Sequence, residues 1–117
     1  MTKNIKVDRQ PVPANKSARL TGTIMREDGV TAFKPDVVRL TVFDQTTGNT
    51  INGRNAVDIT TSVSAGGVLD VGLLPADTAI VTSGNTKENH SALIEWEWNG
   101  GVDKGGYRID YTVETLK

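Results

Sequence analysis

The sequence predicts an all-β domain, a sandwich or a barrel, and three observations carry that reading. The first is residues 89–114, which form two long runs with a side-chain period of two. In the first run His90, Ala92, Ile94, Trp96 and Trp98 share one face, and Ser91, Leu93, Glu95 and Glu97 the other. Beyond a glycine-rich stretch from Asn99 to Gly106, Tyr107, Ile109, Tyr111 and Val113 point one way, and Arg108, Asp110, Thr112 and Glu114 the other. Aromatic and β-branched residues on the apolar side of such rows mark a half-buried antiparallel pair. The second observation is that shorter apolar runs recur about every 8–12 residues, as in sandwiches and barrels, punctuated by many of the chain's twelve glycines. The third is negative: no segment longer than a turn or two repeats at the helical period, and no internal repeat is visible.

Each element follows from local signals. Residues 1–18 are polar, with Pro11 and Pro13 bracketing Val12, and read as a flexible or extended arm. Residues 19–26 form a first strand around Leu20 and Ile24, turned by Asp28-Gly29. A second spans 36–44, where Val38, Leu40 and Val42 alternate with Val37, Arg39, Thr41 and Phe43, preceded by Pro35. Thr46-Thr47-Gly48-Asn49 is a turn before a short strand at 50–52, and Asn52-Gly53 turns the chain into a strand at 56–61 with Val57 and Ile59. Leu69, Val71 and Leu73 define a strand at 68–74, stopped by Pro75-Ala76-Asp77. Ile80 and Val81 mark another short run at 78–82, and 83–88 is polar loop before the terminal hairpin.

Composition narrows the function classes. A chain of 117 residues reads as one domain, or one domain with a tail, large enough to bury a core unaided. With no cysteine, disulfide scaffolds, thiolate zinc sites and cysteine nucleophiles are excluded. The first six residues have no apolar stretch behind their charges, so no signal peptide is expected. No run approaches the roughly 18 apolar residues of a membrane helix, so no membrane partner is expected. Thirteen basic and fourteen acidic residues nearly cancel, which argues against a nucleic-acid surface. One local asymmetry is the basic N-terminus, where Lys3, Lys6, Arg9, Lys16 and Arg19 face only Asp8. It reads as a solvated arm or as one reaching an acidic neighbour in an assembly.

Candidate chemistry is sparse. His90, the single histidine, reads as a polar cap whose ring bonds to backbone; as a metal ligand or base it lacks a partner histidine or a suitably placed serine. Glu95 and Glu97, with Asp110 expected beside them and Arg108 and Lys104 near, read as cross-strand ion pairs rather than a glycosidase pair. Asp77, Asn85, Glu88 and Asn89 flank loops able to supply oxygens to calcium, but no spaced aspartate loop is present and they read as polar loop residues. Trp96 and Trp98 fall on one face and read as core, with Trp98 the more exposed, rather than as a sugar platform. Asn52-Gly53-Arg54 resembles an adhesion tripeptide, although a tight turn explains it. No phosphate loop, nucleophile elbow or helical metal motif occurs. The expectation is therefore no enzyme, no cofactor and no metal.

The order of features resembles small immunoglobulin-like virion proteins of tailed bacteriophages. The likeness runs from Val37 to Asp44 through Thr47-Gly48 and Ile51-Asn52-Gly53-Arg54. It continues from Leu69-Asp70 to Leu74-Pro75-Ala76-Asp77-Thr78, Glu88-Asn89-His90-Ser91-Ala92-Leu93-Ile94-Glu95-Trp96 and the closing Tyr111-Thr112-Val113-Glu114, covering about residues 19–115. The resemblance implies an immunoglobulin-like antiparallel sandwich of about seven strands at 19–117, behind an extended arm at 1–18. It further implies a structural part in capsid decoration, neck or tail, made in the bacterial host cytoplasm and carried in the virion. Partners would be other virion proteins or further copies of the chain in an oligomer. Lys3, Lys6, Arg9 and Val12 of the arm, and Trp98, Asp103 and Lys104 at the hairpin tip, are the expected contact residues. Two rivals are a surface-glycan module using Trp98 and Asn99, and a metal-assisted hydrolase around His90.

Overall fold

The period-two rows become two facing sheets. The computed structural model describes residues 5–26 and 30–115. Among these are eight strands and no α-helix: β1 (Lys6–Val7), β2 (Val12–Pro13), β3 (Ala18–Thr23), β4 (Val37–Asp44), β5 (Val57–Asp58), β6 (Val68–Leu73), β7 (Lys87–Trp98) and β8 (Asp103–Glu114). One sheet has the order β1-β3-β6, the other β2-β8-β7-β4-β5. The second is built around the terminal hairpin, where β7 and β8 pair antiparallel without a bulge from Lys87↔Glu114 to Trp98↔Asp103. Asn99, Gly100 and Gly101 make the connecting loop with positive φ at all three positions (57°, 67°, 87°), a conformation that asparagine and glycine adopt at least steric cost.

Alternation decides what enters the core. Val38, Leu40, Val42 and Asp44 of β4 are buried while the residues between them are not. Leu69, Val71 and Leu73 of β6 repeat the pattern, as do Ile109, Tyr111 and Val113 of β8. Leu20, Leu69, Leu73, Leu40 and Ile94 are fully buried between the sheets. Gly67 lies so near the chain at Phe33 that a Cβ there would sit 2.5 Å from the Phe33 carbonyl oxygen, and its φ is +86°.

The structure departs from the sequence reading in several places. The segment 5–18, expected as an arm, is woven into both sheets: β1 pairs antiparallel with β3, and β2 pairs parallel with β8. Its apolar residues Ile5, Val7, Val12 and Ala14 are all buried: Val7 and Val12 stand at the inward phase of strands too short to show a period, and Ile5 and Ala14 flank those strands, two residues from these valines. The 50–52 run is reduced to a bridge between Phe43 and Thr50. The 56–61 run keeps two strand residues before a 3₁₀ turn at Thr60–Ser62, its backbone redirected by Asp58, which accepts hydrogen bonds from the Thr60 amide and hydroxyl. The 78–82 run is not a strand; Val81 and Thr82 direct their amides to the Glu88 carboxylate instead of to a neighbouring chain.

Val12 therefore tests whether the N-terminal segment belongs to the fold. Removing two methyl groups from a fully buried valine costs about 2 kcal/mol, so Val12→Ala should lower the urea midpoint measurably. An unchanged midpoint would return residues 5–18 to the status of an appendage.

Candidate functional site

The far end of the β7–β8 hairpin gathers an open cleft. Arg26, Phe33, Lys34, Asp36, Trp98, Asn99 and Asp103 line a depression of about 530 Å³. The Phe33 and Trp98 rings meet edge to face, 5.1 Å between centroids, and the Arg26 guanidinium stands 4.6 Å from the Phe33 ring centre. Phe33 is held by its amide, which donates to the Ile24 carbonyl, and Trp98 by its register opposite Asp103. The result is an aromatic floor with basic and acidic side chains around it, a combination suited to polar ligands carrying an apolar face.

Beside this cleft the edge of β8 is open. β2 covers only Val113 and Glu114. The Gln10 side chain extends that cover by imitating a strand: its amide nitrogen donates to the Asp110 carbonyl, and its oxygen accepts from the Thr112 amide. Because successive residues of a strand face opposite sides, the same side carries the backbone groups of Lys104, Gly106 and Arg108. Among the described residues no strand is paired with β8 on that side along these three positions.

At the other end of the hairpin the buried polar residues collect. His90 is fully buried, and its Nε2 lies 2.8 Å from Glu88 Oε1 and 3.8 Å from Asp44 Oδ1. The expected bond from this ring to backbone is absent; the partner is a carboxylate, because β7 places Glu88 and His90 two apart on its inner face. Glu88 also accepts from the Val81 and Thr82 amides and the Asn85 side chain. Burial pushes its carboxyl up, and these four donations outweigh that effect and hold it at about 2. Nearby, Asp77 is fully buried and forms a two-point pair with Arg54, 2.9 Å at each contact, with Asn52 and the Leu74 amide completing its shell. That geometry takes Asp77 out of any calcium loop and occupies the arginine of the adhesion-like tripeptide.

The expected contact residues are scattered. Trp98 and Asp103 meet in the cleft. Lys104 lines a smaller hollow of about 200 Å³ with Arg39, Glu95, Trp96, Glu97 and Gly105. Lys6 and Arg9 are exposed on the N-terminal segment, which meets β8 through Gln10 at Asp110 and Thr112 and through β2 at Val113 and Glu114. Val12 is 0% exposed and touches no partner surface, since its side chain fills the core. Lys3 lies outside the described residues. Asp110 stands opposite Ser91 rather than beside Glu95 and Glu97, bonded to the Ser91 hydroxyl and to Arg108, while Glu97 pairs with Arg39.

Sequence reasoning passed over Asp44, Phe33 and Gln10. Asp44 carried a signal: it continues the inward series Val38, Leu40, Val42 and so had to be buried. Nothing local marks Gln10, whose partner is about a hundred residues away. No family model matches the chain, and neither the curated proteins nor the solved structures yield a match.

Asp77 sets a pH-dependent test. Burial raises its carboxyl, but Arg54, Asn52 and the Leu74 amide together bring it below its ordinary value of 3.8. A group depressed in the folded state stabilises the fold above its unfolded pKa, and that contribution is lost as pH falls through the folded value. Removing one member of a buried pair costs about 3 kcal/mol, so Asp77→Asn should lose about that much at pH 7 by chemical denaturation. The gap between wild type and variant should begin to narrow below about pH 3.8 and keep closing as the pH falls through the folded value. A gap independent of pH would show that packing, not charge, is what the substitution removes.

Proposed function

We propose that this protein is a non-enzymatic assembly component of a bacteriophage particle, an immunoglobulin-like module acting through protein–protein contacts at the hairpin end. The observation that carries the reading is the open edge of β8 at residues 103–108, next to the aromatic cleft. An exposed sheet edge is a template on which another chain can add a strand, with main-chain bonds giving affinity and alternate side chains giving selectivity. The phage context and the immunoglobulin-like kinship rest on the resemblance of residues 19–115.

The charges on this edge favour a foreign partner over a second copy. Lys104 and Arg108 project from the same face of β8. Antiparallel self-pairing centred on Gly106 would set Lys104 of one copy against Arg108 of the other, and like charges directly opposite destabilise a ladder. An extended segment with acidic side chains at alternate positions fits this edge, and Lys104 and Arg108 repel basic ones.

A second reading has its own observation. The cleft holds Trp98 and Asn99 together with Phe33 and four charged residues, an arrangement that suits a host-surface glycan. Binding to a sugar array abolished by Trp98→Ala would favour that reading.

Lys104→Pro is the discriminating variant. The Lys104 amide faces away from β7, so proline there removes an outward donor and leaves the β7–β8 ladder whole. Quantified by mass spectrometry across a density gradient of phage lysate, the wild-type protein and Lys104→Ala should co-sediment with particles at fixed copy number. Lys104→Pro should lose at least tenfold of that association while keeping its melting temperature. Wild-type protein confined to the soluble fractions would end the assembly reading.

A further inference from the structure

The Asp44–Glu88–His90 cluster poses a charge problem that the polypeptide leaves open. Two carboxylates and one imidazole lie at 1%, 7% and 0% exposure. Among the described residues no lysine or arginine pairs with either acid, whereas the equally buried Asp77 has Arg54. Burying uncompensated negative charge is costly, and proteins meet it with a counter-charge or a metal ion. Two atoms of the cluster also have no hydrogen-bond partner, Asp44 Oδ1 and His90 Nδ1. Asp44 Oδ2, by contrast, accepts from both the amide and the hydroxyl of Thr47. That double bond fixes the carboxylate and leaves its other oxygen beside His90 Nε2.

We propose that Asp44 Oδ1, Glu88 Oε1 and His90 Nε2 form a buried binding site for a divalent cation of the zinc class. The three residues' donor atoms all lie within 4.8 Å of one another. A tetrahedral ion with bonds near 2.0–2.2 Å spaces its ligands by about 3.3 Å. The contacts of 2.8 and 3.8 Å from His90 Nε2 bracket that value, so side-chain shifts of about half an ångström would seat the ion. One imidazole nitrogen and two carboxylate oxygens suit zinc; calcium would require six to eight oxygens, which this site does not offer. Binding through Nε2 places the ring proton on Nδ1. The ion would neutralise both carboxylates and tie the end of β4 to the start of β7. A site this deep is filled as the chain folds rather than through a channel.

The single histidine makes the test direct. Protein unfolded in guanidinium with chelator is refolded with or without excess Zn²⁺, gel-filtered, and assayed for metal, melting temperature and imidazole ¹⁵N shifts. The expected result is one zinc per chain and a melting temperature higher by about 10 °C at a hundredfold excess over Kd. The ring proton should move from Nε2 to Nδ1, read on wild-type protein without any variant. Asp44→Asn, which keeps the side-chain volume, should lower zinc affinity at least tenfold. Imidazole shifts and melting temperature unmoved by zinc would overturn the site, as would zinc retained equally by Asp44→Asn.

Discussion

The structure depends on the unbroken register of β7 against β8. Twelve residues of each strand pair in sequence, and β4 then adds to β7 over eight more pairs. Because a one-residue slip would send every inward side chain to the opposite face, this ladder fixes the phase of His90, Ala92 and Ile94 together with Ile109, Tyr111 and Val113. It also fixes where the molecule's two ends lie. The protein extends 45 Å along its long axis and 23 by 22 Å across it, with the hairpin loop at one end of the ladder and the Glu88–His90 pair near the other.

Those two ends solve different problems. At the loop end Trp96 lies against Gly105, its cross-strand partner, so closely that a Cβ there would come within 2.5 Å of the indole nitrogen. Gly105 and Gly106 of the glycine-rich stretch are thus strand residues, and Gly105 is bare where the Trp96 indole covers it. At the opposite end, strand-borne polar side chains are carried inward by the same alternation that buries valine and leucine. Asp77 is compensated by an arginine brought from the Asn52-Gly53 turn. Asp44 and Glu88 accept hydrogen bonds but, among the described residues, face no lysine or arginine, and Asp44 Oδ1 is left without a partner; that difference singles out the second arrangement as chemically incomplete.

How much of this was legible in the sequence depended on the length of each pattern. The longer runs 36–44 and 68–74 and the terminal hairpin declared both their strand character and their buried face, because the period repeats often enough to read. Two-residue strands cannot show a period, and Val7 and Val12 were accordingly read as parts of an arm although both are buried. Local polarity also misled at 5–18: Lys6, Asp8 and Arg9 are exposed on a segment whose apolar side chains point inward. The candidate sites required contacts between residues about 45 apart, as for Asp44 and His90, or about 65 apart, as for Phe33 and Trp98. Only the register supplied these.

The N-terminal segment links this architecture to its surface. It begins in one sheet at β1 and ends in the other at β2, so it fastens the two together while occupying one stretch of the β8 edge. Beyond the backbone pairing of β2, a single side chain, Gln10, supplies the donor and the acceptor that Asp110 and Thr112 would otherwise turn to solvent. The cover stops there, and the basic residues Lys104 and Arg108 begin. Charge on an exposed edge is a common guard against indiscriminate strand addition. Here the two basic side chains share one face of β8, so antiparallel pairing of two copies about Gly106 would set like charges opposite each other. The same edge is thus closed by the chain itself at one end and carries like charge at the other, which narrows the register in which any further strand could be added.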